Sequence, residues 1–595
     1  MRIHVVYIGL FVWCFASVLA QAQDRDQDVV LETARGTLIG ARIVSDGSPL
    51  SLFRGIPYAV PPVGERRWKP AELLHASWEG EREATSFAPA CMQPQTVKDK
   101  AHYAYRPAPQ MSEDCLYLNI WTPAKLPEGP PDRRDEVAGE HSEKLSGKRP
   151  ERLTEKPAEK LPVMVWIHGG SLVDGAASWS IYDGAGLARK GVVFVSISYR
   201  LNVFGYFSHP ALTAESGHKA SGNYGVNDQI TALKWVRDNI SVFGGDPDNV
   251  TIFGESAGAY SVLQLLVSPL SEGLFHRAIA QSPYLKPLPA LDRPQYGLPA
   301  AEASGETFAA ALGAKTLAEL RALPAADILN AVNRVDDPYA MIPNPVVDGW
   351  VFPAQLFELF EAGAQHDVPV LAGYTGNEGF QMSLRPDWQQ ARPETAREYE
   401  AMVRARYGDL SDSYLALYPP SDRENGLLAP YRDGFFGWAA QKIVRESRRV
   451  PSDAYLYYFD QAFGWARNGG YGAFHGIDLP YTFNAVGQNA KYSANWPDLE
   501  PTAADYRVAD IISDYWVAFA SGGAPRAKDR PEWPAYQAGD RAYMAFRDGR
   551  AYAARDLLPG SFELHEQIIR KRREAGNMPW SLVNIGLLAP VRSKP

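Results

Sequence analysis

The stretch Asn249-Val250-Thr251-Ile252-Phe253-Gly254-Glu255-Ser256-Ala257-Gly258, continuing into Tyr260-Ser261-Val262-Leu263-Gln264-Leu265-Leu266, decides how this chain is read. The first run is β-branched and aromatic and predicts a buried strand; the second predicts an apolar helix. Between them stands Gly-x-Ser-x-Gly, a pattern with chemical meaning only where a strand feeds it and a helix leaves it. Small residues beside Ser256 permit a tight turn with unusual backbone angles. Such a turn lifts the hydroxyl above the sheet, over the positive end of the following helix. Gly and Ser are common, so the pentapeptide alone could be coincidence; the rest of the chain must supply a base, an acid and backbone donors.

The flanking sequence predicts an α/β class with a mainly parallel sheet covered on both faces. Continuous apolar runs at Val163–Ile167, Val192–Ser198, Phe275–Gln281, Val368–Gly373 and Tyr455–Phe459 read as buried strands. Between Asp228 and Phe243 the apolar spacing is helical. Val29 to Val44 alternates around Gly36 and Gly40, predicting a small N-terminal antiparallel hairpin, and Leu116–Trp121 reads as a further strand. Residues 297 to 345 and 385 to 450 read as mostly helical and are expected to cap the sheet.

Four histidines follow Ser256, and position separates them. His276 is too near the serine in sequence, and His366 precedes a strand, at the wrong end of a sheet whose ligands gather beyond the carboxyl ends. His565 falls in the charged helical stretch Glu563 to Arg573. His475 follows a late strand through the Gly-rich loop Asn468 to Phe474 and is the candidate base. For the acid, Glu378 in Gly376-Asn377-Glu378-Gly379 follows the clearer strand, while Asp348 in Val347-Asp348-Gly349 is the rival and equally fits a simple turn. His168-Gly169-Gly170-Ser171, after the strand Val163–Ile167, is the candidate donor loop, with His168 in a supporting role.

Composition narrows the class. The 595 residues are 46% apolar and 22% charged, enough to fill a large core. The net charge of −9 argues against a nucleic-acid surface and against a polybasic membrane patch. Arg2 and His4 precede an apolar run from Val5 to Leu19, with small residues at Ala20 and Ala22. That pattern predicts a signal peptide over 1–22, and residues 23–595 as a single catalytic domain that is secreted or periplasmic. The run is short for an uncleaved anchor helix, so no stable membrane insertion is expected after its removal. Cys91 and Cys115 are the cysteines left in the mature chain, and an even pair in an exported protein is expected to bridge. The stretch 125–160, rich in Pro, Glu, Lys and Arg, reads as a flexible charged insertion loop.

Taken together, the motifs resemble the type-B carboxylesterases, the family that includes the cholinesterases. They are Phe243-Gly244-Gly245-Asp246-Pro247 through Gly258, Ser112-Glu113-Asp114-Cys115-Leu116-Tyr117-Leu118-Asn119, Gly55-Ile56-Pro57-Tyr58-Ala59, Gly222-Asn223-Tyr224-Gly225 and Gly472-Ala473-Phe474-His475-Gly476. The likeness runs from about Val30 to Tyr536. It implies the α/β-hydrolase fold, Ser256 as nucleophile, His475 as base and Glu378 rather than Asp348 as acid. It also implies oxyanion donors at Gly170, Ser171 and Ala257, and the Cys91–Cys115 bridge. The implied activity is hydrolysis of small-molecule carboxylic esters without metal or organic cofactor; no feature sets an oligomeric state. Ser171 stands where many relatives carry a third glycine, Asp478 where they often carry Glu, and 125–160 looks inserted. Tyr105 occupies the place of the choline-binding tryptophan of cholinesterases, so choline esters are not expected. A catalytically inactive binding or adhesion protein on the same fold would have lost the serine or histidine, and this chain keeps both. A hydrolase of an amide, carbamate or lactone would share the triad.

Overall fold

The continuous apolar runs become the middle of one large sheet because strands buried on both faces need nonpolar side chains at every position. In the computed structural model the described residues are 28–95, 106, 109–126, 160–333, 344–488, 495–577 and 585–589. The expected signal peptide, Tyr105 and nearly all of the 125–160 stretch lie outside them.

The sheet starts with an antiparallel meander, β1 (Asp28–Thr33), β2 (Gly36–Ser45) and β3 (Ser48–Pro57). The expected hairpin is therefore its first half, and the third strand carries the Gly55-Ile56-Pro57 motif. The short β4 (Glu81–Glu83) pairs with β2, and β5 (Ala90–Cys91) with β6 (Met111–Ser112) in a separate two-stranded unit. Strand β7 (Tyr117–Thr122) runs antiparallel to both β3 and β9 (Val193–Ile197). From β9 onward the strands are parallel, in the order β9, β8 (Leu161–Ile167), β10 (Gly245–Glu255), β11 (Arg277–Gln281), β12 (Val370–Thr375), β13 (Ala454–Phe459) and β14 (Ala542–Arg547). An antiparallel β15 (Arg550–Arg555) closes the far edge. Among the described residues the sheet has 13 strands.

Alternate side chains of the central strands feed two cores. Val163, Val165 and Ile167 of β8 point to one face, with Val250 and Ile252 of β10; Met164, Trp166 and Phe253 point to the other. The helix Tyr224–Asn239 covers the first face with Ile230, Leu233, Trp235 and Val236, beside the helix Ala257–Val267. The helix Ala503–Gly522 covers the second with Val508, Ile512, Tyr515, Trp516 and Phe519. Helices Ala301–Ala311, Leu317–Ala322 and Ala325–Asn333 build a satellite cluster with Trp68 and Phe207, as a cap would. In the second helical region, a π-helical turn at Arg432–Gly437 precedes Trp438–Glu446. Among the described residues no helix is long and apolar enough to cross a membrane.

The strand order locates the ligand crevice. The chain leaves β8 toward β9 on one side and leaves β10 toward β11 on the other, although β8 and β10 are neighbours. Loops departing in opposite directions open a crevice beyond the carboxyl ends of these two strands. His168–Ser171 leaves one of them and Ser256 the other.

Cys91 and Cys115 are bridged, with Cα atoms 5.0 Å apart and a sequence separation of 24. The bridge ties the β5–β6 unit to the chain entering β7. Closing a loop of this length stabilises by about 3 kcal/mol through the unfolded chain. Replacing both cysteines by serine is therefore expected to lower stability by about that amount in urea unfolding; an unchanged midpoint would contradict this role.

Candidate active site

Ser256 follows the last residue of β10 and precedes the helix Ala257–Val267, with φ 58° and ψ −121°. Positive φ is costly for a non-glycine residue, so the surroundings must hold it. They do so through the Ser256 N–H, which donates to Gln281 O at 2.9 Å, and Ser256 O, which accepts from Tyr260 N at 2.9 Å. The flanking glycines are required by close packing. A Cβ on Gly258 would stand 2.0 Å from Ile167 O, and one on Gly254 would stand 2.7 Å from the same oxygen. The helix therefore starts directly against the end of β8, which brings the donor loop to the serine: a Cβ on Gly169 would lie 3.3 Å from Ser256 Cβ.

The donor loop has its own strained backbone. Gly170, Ser171 and Leu172 have φ of 107°, 57° and 63°. Gly170 O accepts from Val173 N at 2.9 Å and Asp174 N at 3.0 Å, closing the turn. Asn202 Nδ2 donates to Val173 O at 3.1 Å, and Gln93 Oε1 accepts from Gly175 N at 3.0 Å, so neighbouring segments clamp it. The N–H groups of Gly170 and Ser171 donate to nothing among the described residues. Ala257 is the first residue of its helix, where N–H groups lack intrahelical partners. His168 is a support, as expected. Its buried ring stacks on Tyr199 at 4.5 Å, its Nδ1 donates to Gly169 O at 2.9 Å, and burial pushes its pKa down to about 4, leaving it neutral.

Glu378 and His475 come from neighbouring parallel strands and meet. The loops after β12 and β13 are pinned together, with Asn377 N donating to Ala473 O at 2.7 Å and Asn377 Nδ2 to Tyr471 O at 2.8 Å. His475 Nδ1 then donates to Glu378 Oε2 at 2.5 Å. The other carboxylate oxygen accepts from Ser282 Oγ at 2.5 Å and from Thr375 N at 2.8 Å, which locks its orientation. The rival Asp348 is occupied elsewhere: Oδ1 accepts from Trp350, Val351 and Phe352 N–H groups, and Oδ2 from Asn223 Nδ2 at 2.9 Å. Its Asp-Gly pair is a turn. The remaining downstream histidines are also engaged, His276 with Val250 N, His366 with Ser268 O and His565 with Tyr418 OH.

Several neighbours of the site carry no local sequence signal. Ser282 reaches Glu378 only through strand order, and Thr375 through its backbone N–H, which any residue but proline would supply. Glu255 sits inside the opening pentapeptide, yet its carboxylate turns back so that Oε1 lies 3.1 Å from His475 Nε2, without hydrogen-bond alignment. Asp478 is buried and accepts from Gln281 Nε2 at 2.9 Å. Burial alone would lower the His475 pKa, but the nearby Glu255 and Glu378 carboxylates outweigh it and raise it. Burial raises Glu255, an effect that His475 opposes. The π-helical turn places Phe436 4.7 Å from the His475 ring, centre to centre. Among the described residues no group of three or more His, Cys, Asp or Glu side chains is disposed to hold a metal ion.

Comparison with known proteins gives the family. Residues 27–558 match the pattern that defines the Carboxylesterase family. The chain belongs to that family. Relatives that it matches over most of their length are named esterases, carboxylesterases and hydrolases, and the chain is a carboxylic ester hydrolase. It is 32% identical to the fumonisin B1 esterase of Sphingopyxis macrogoltabida over 534 residues, covering 88% of each chain. It is 32% identical over 496 residues to the para-nitrobenzyl esterase of Bacillus subtilis (strain 168), covering 81% of this chain and 88% of that one. A solved carboxylesterase structure from Geobacillus stearothermophilus superposes with a TM-score of 0.69 at 31% identity, covering 90% of this chain and 99% of that chain. The α/β-hydrolase fold expected from the motifs is the fold observed.

Two outcomes follow from the geometry of this carboxylesterase. Gly258→Ala is expected to cost about 1–3 kcal/mol of stability and at least tenfold in ester hydrolysis, because the helix must back away from Ile167 O. Gly522→Ala, with open space at its Cβ, is the control that leaves both unchanged. The second outcome concerns pH. With His475 as the candidate base, which works when neutral, kcat/KM is expected to be lost as pH falls through its pKa, and the carboxylates place that limb above the ordinary 6.5. Glu255→Gln removes one of them and is expected to move the acid limb down by about one pH unit; an unmoved limb would contradict the coupling.

Proposed function

We propose that this chain is an exported serine carboxylesterase that works through an acyl-enzyme, with Ser256 as nucleophile, His475 as base and Glu378 as acid. The observation that carries the reading is the Glu378–His475 hydrogen bond at the crevice where the strained Ser256 meets the Gly169–Gly170 loop. Nδ1 of His475 is committed as donor to Glu378, which leaves Nε2 to accept the serine proton. Ser256 Oγ attacks the ester carbonyl as His475 takes its proton. The developing oxyanion is received by N–H groups of Gly170, Ser171 and Ala257, each contributing on the order of a hundredfold in rate. The imidazolium protonates the departing alcohol. Water, deprotonated by His475, then attacks the acyl-enzyme and releases the acid. Glu378 holds the imidazole in register throughout and stabilises its charged form. Export rests on the charged start, apolar run and small residues of 1–22, and on a disulfide suited to an oxidising compartment.

Ser256→Ala is expected to lower hydrolysis of a short-chain aryl ester by roughly 10⁴-fold or more with folding intact. Wild-type rates in the alanine variant would overturn the mechanism.

A further inference from the structure

Lys286 lies on the chain leaving β11, four residues after Ser282, which holds Glu378. Its ammonium is largely buried, and burial lowers its pKa to about 8, so it is still mainly charged at neutral pH. A lysine buried in this way is ordinarily neutralised by a carboxylate. Among the described residues none pairs with Lys286. Its Nζ donates to the neutral amide oxygen of Asn344 and stands 5.5 Å and 5.8 Å from the ring centres of Tyr260 and Tyr284. Ring faces recover part of the lost hydration. An ammonium has three donors, and among the described residues one of them is used.

The place of this cation matters more than its burial. Tyr260 is one turn beyond Ser256 and donates its N–H to Ser256 O. Its ring stacks on Tyr284 at 4.7 Å, Tyr284 on Phe435 at 4.9 Å, Phe435 contacts Phe436 at 4.9 Å, and Phe436 lies 4.7 Å from the His475 ring. A continuous aromatic wall thus runs from the imidazole to the ammonium. Around His475 the site is acidic, with Glu255, Glu378 and Asp478 close by. An anionic ester entering there meets repulsion unless a cation stands nearby.

We propose that Lys286 is a specificity-determining residue that receives a carboxylate carried by the substrate, so that the preferred esters are anionic, with a free carboxylate on the acyl or the alcohol side. The inference rests on Ser256 as the reacting group and adds the chemistry of what is bound beside it. A substrate carboxylate supplies the counterion that Lys286 lacks among the described residues, and accepts its further ammonium donors in a low-dielectric site.

The test compares kcat/KM for matched aryl esters: the monoester of succinic acid against the butyrate, and 4-acetoxybenzoate against phenyl acetate. The first pair places the carboxylate on the acyl side and the second on the leaving group. Wild-type enzyme is expected to favour the anionic member of one pair by about tenfold or more. Lys286→Met, checked for an unchanged unfolding temperature, is expected to abolish that ratio. Dividing the two rates removes any general effect on the triad. If the neutral members are hydrolysed but neither anionic one is preferred, or if the methionine variant keeps the ratio, the inference is overturned while the esterase reading stands. If no ester of either kind is hydrolysed by wild type, the esterase reading fails, and this inference with it.

Discussion

Gly258 meets the carbonyl of Ile167 so closely that a single methyl group would stand 2.0 Å from that oxygen. Most of the active-site geometry depends on this approach. It seats the first turn of the Ala257–Val267 helix on the end of β8, forces the sharp turn at Ser256, and sets the Gly169–Gly170 backbone beside the serine. The strain of a positive φ at Ser256 is stored there because two buried strands and a buried helix over-determine it. In the proposed mechanism, backbone donors held in this way need no rearrangement when charge develops on a substrate oxygen, which is why such preorganisation is worth far more inside a protein than in water.

The second half of the site relies on strand adjacency. Glu378 and His475 are far apart in sequence, but β12 and β13 are parallel neighbours, so the loops beyond their carboxyl ends emerge side by side. The backbone bond between Asn377 and Ala473 then fixes those loops to each other. Ser282, at the end of β11, comes from the next strand over and turns the Glu378 carboxylate toward the imidazole. Four consecutive strand ends, those of β10, β11, β12 and β13, thus each deliver at least one polar group to a common crevice.

How much of this was legible in the sequence follows from the same physics. Strands β8 to β13 were readable because burial on both faces demands unbroken apolar runs. The terminal hairpin β14–β15 was not, since Ala-Tyr-Met-Ala-Phe-Arg and Arg-Ala-Tyr-Ala-Ala-Arg at a sheet edge carry too little apolar contrast to stand out. The residue pattern favours Glu378 over Asp348 only through its clearer preceding strand; the structure adds that Asp348 accepts three backbone N–H groups of its own turn. Ser282 and the turned-back carboxylate of Glu255 were illegible because their contacts cross strands, and Thr375 because it acts through its backbone N–H. Phe435 and Phe436 were illegible because they depend on a π-helical turn with no distinct residue signature.

The central claim is that this geometry aims one hydroxyl, that of Ser256, at a carbonyl and captures the acyl group on it. Trapping the covalent intermediate tests it most directly: the protein is mixed with a slowly turned-over aryl carbamate or an aryl phosphonate, digested, and mapped by mass spectrometry. The account predicts one adduct per chain, on Ser256, forming at a rate that falls in step with His475→Ala. An adduct on any other residue, or none while ester hydrolysis proceeds, would contradict it.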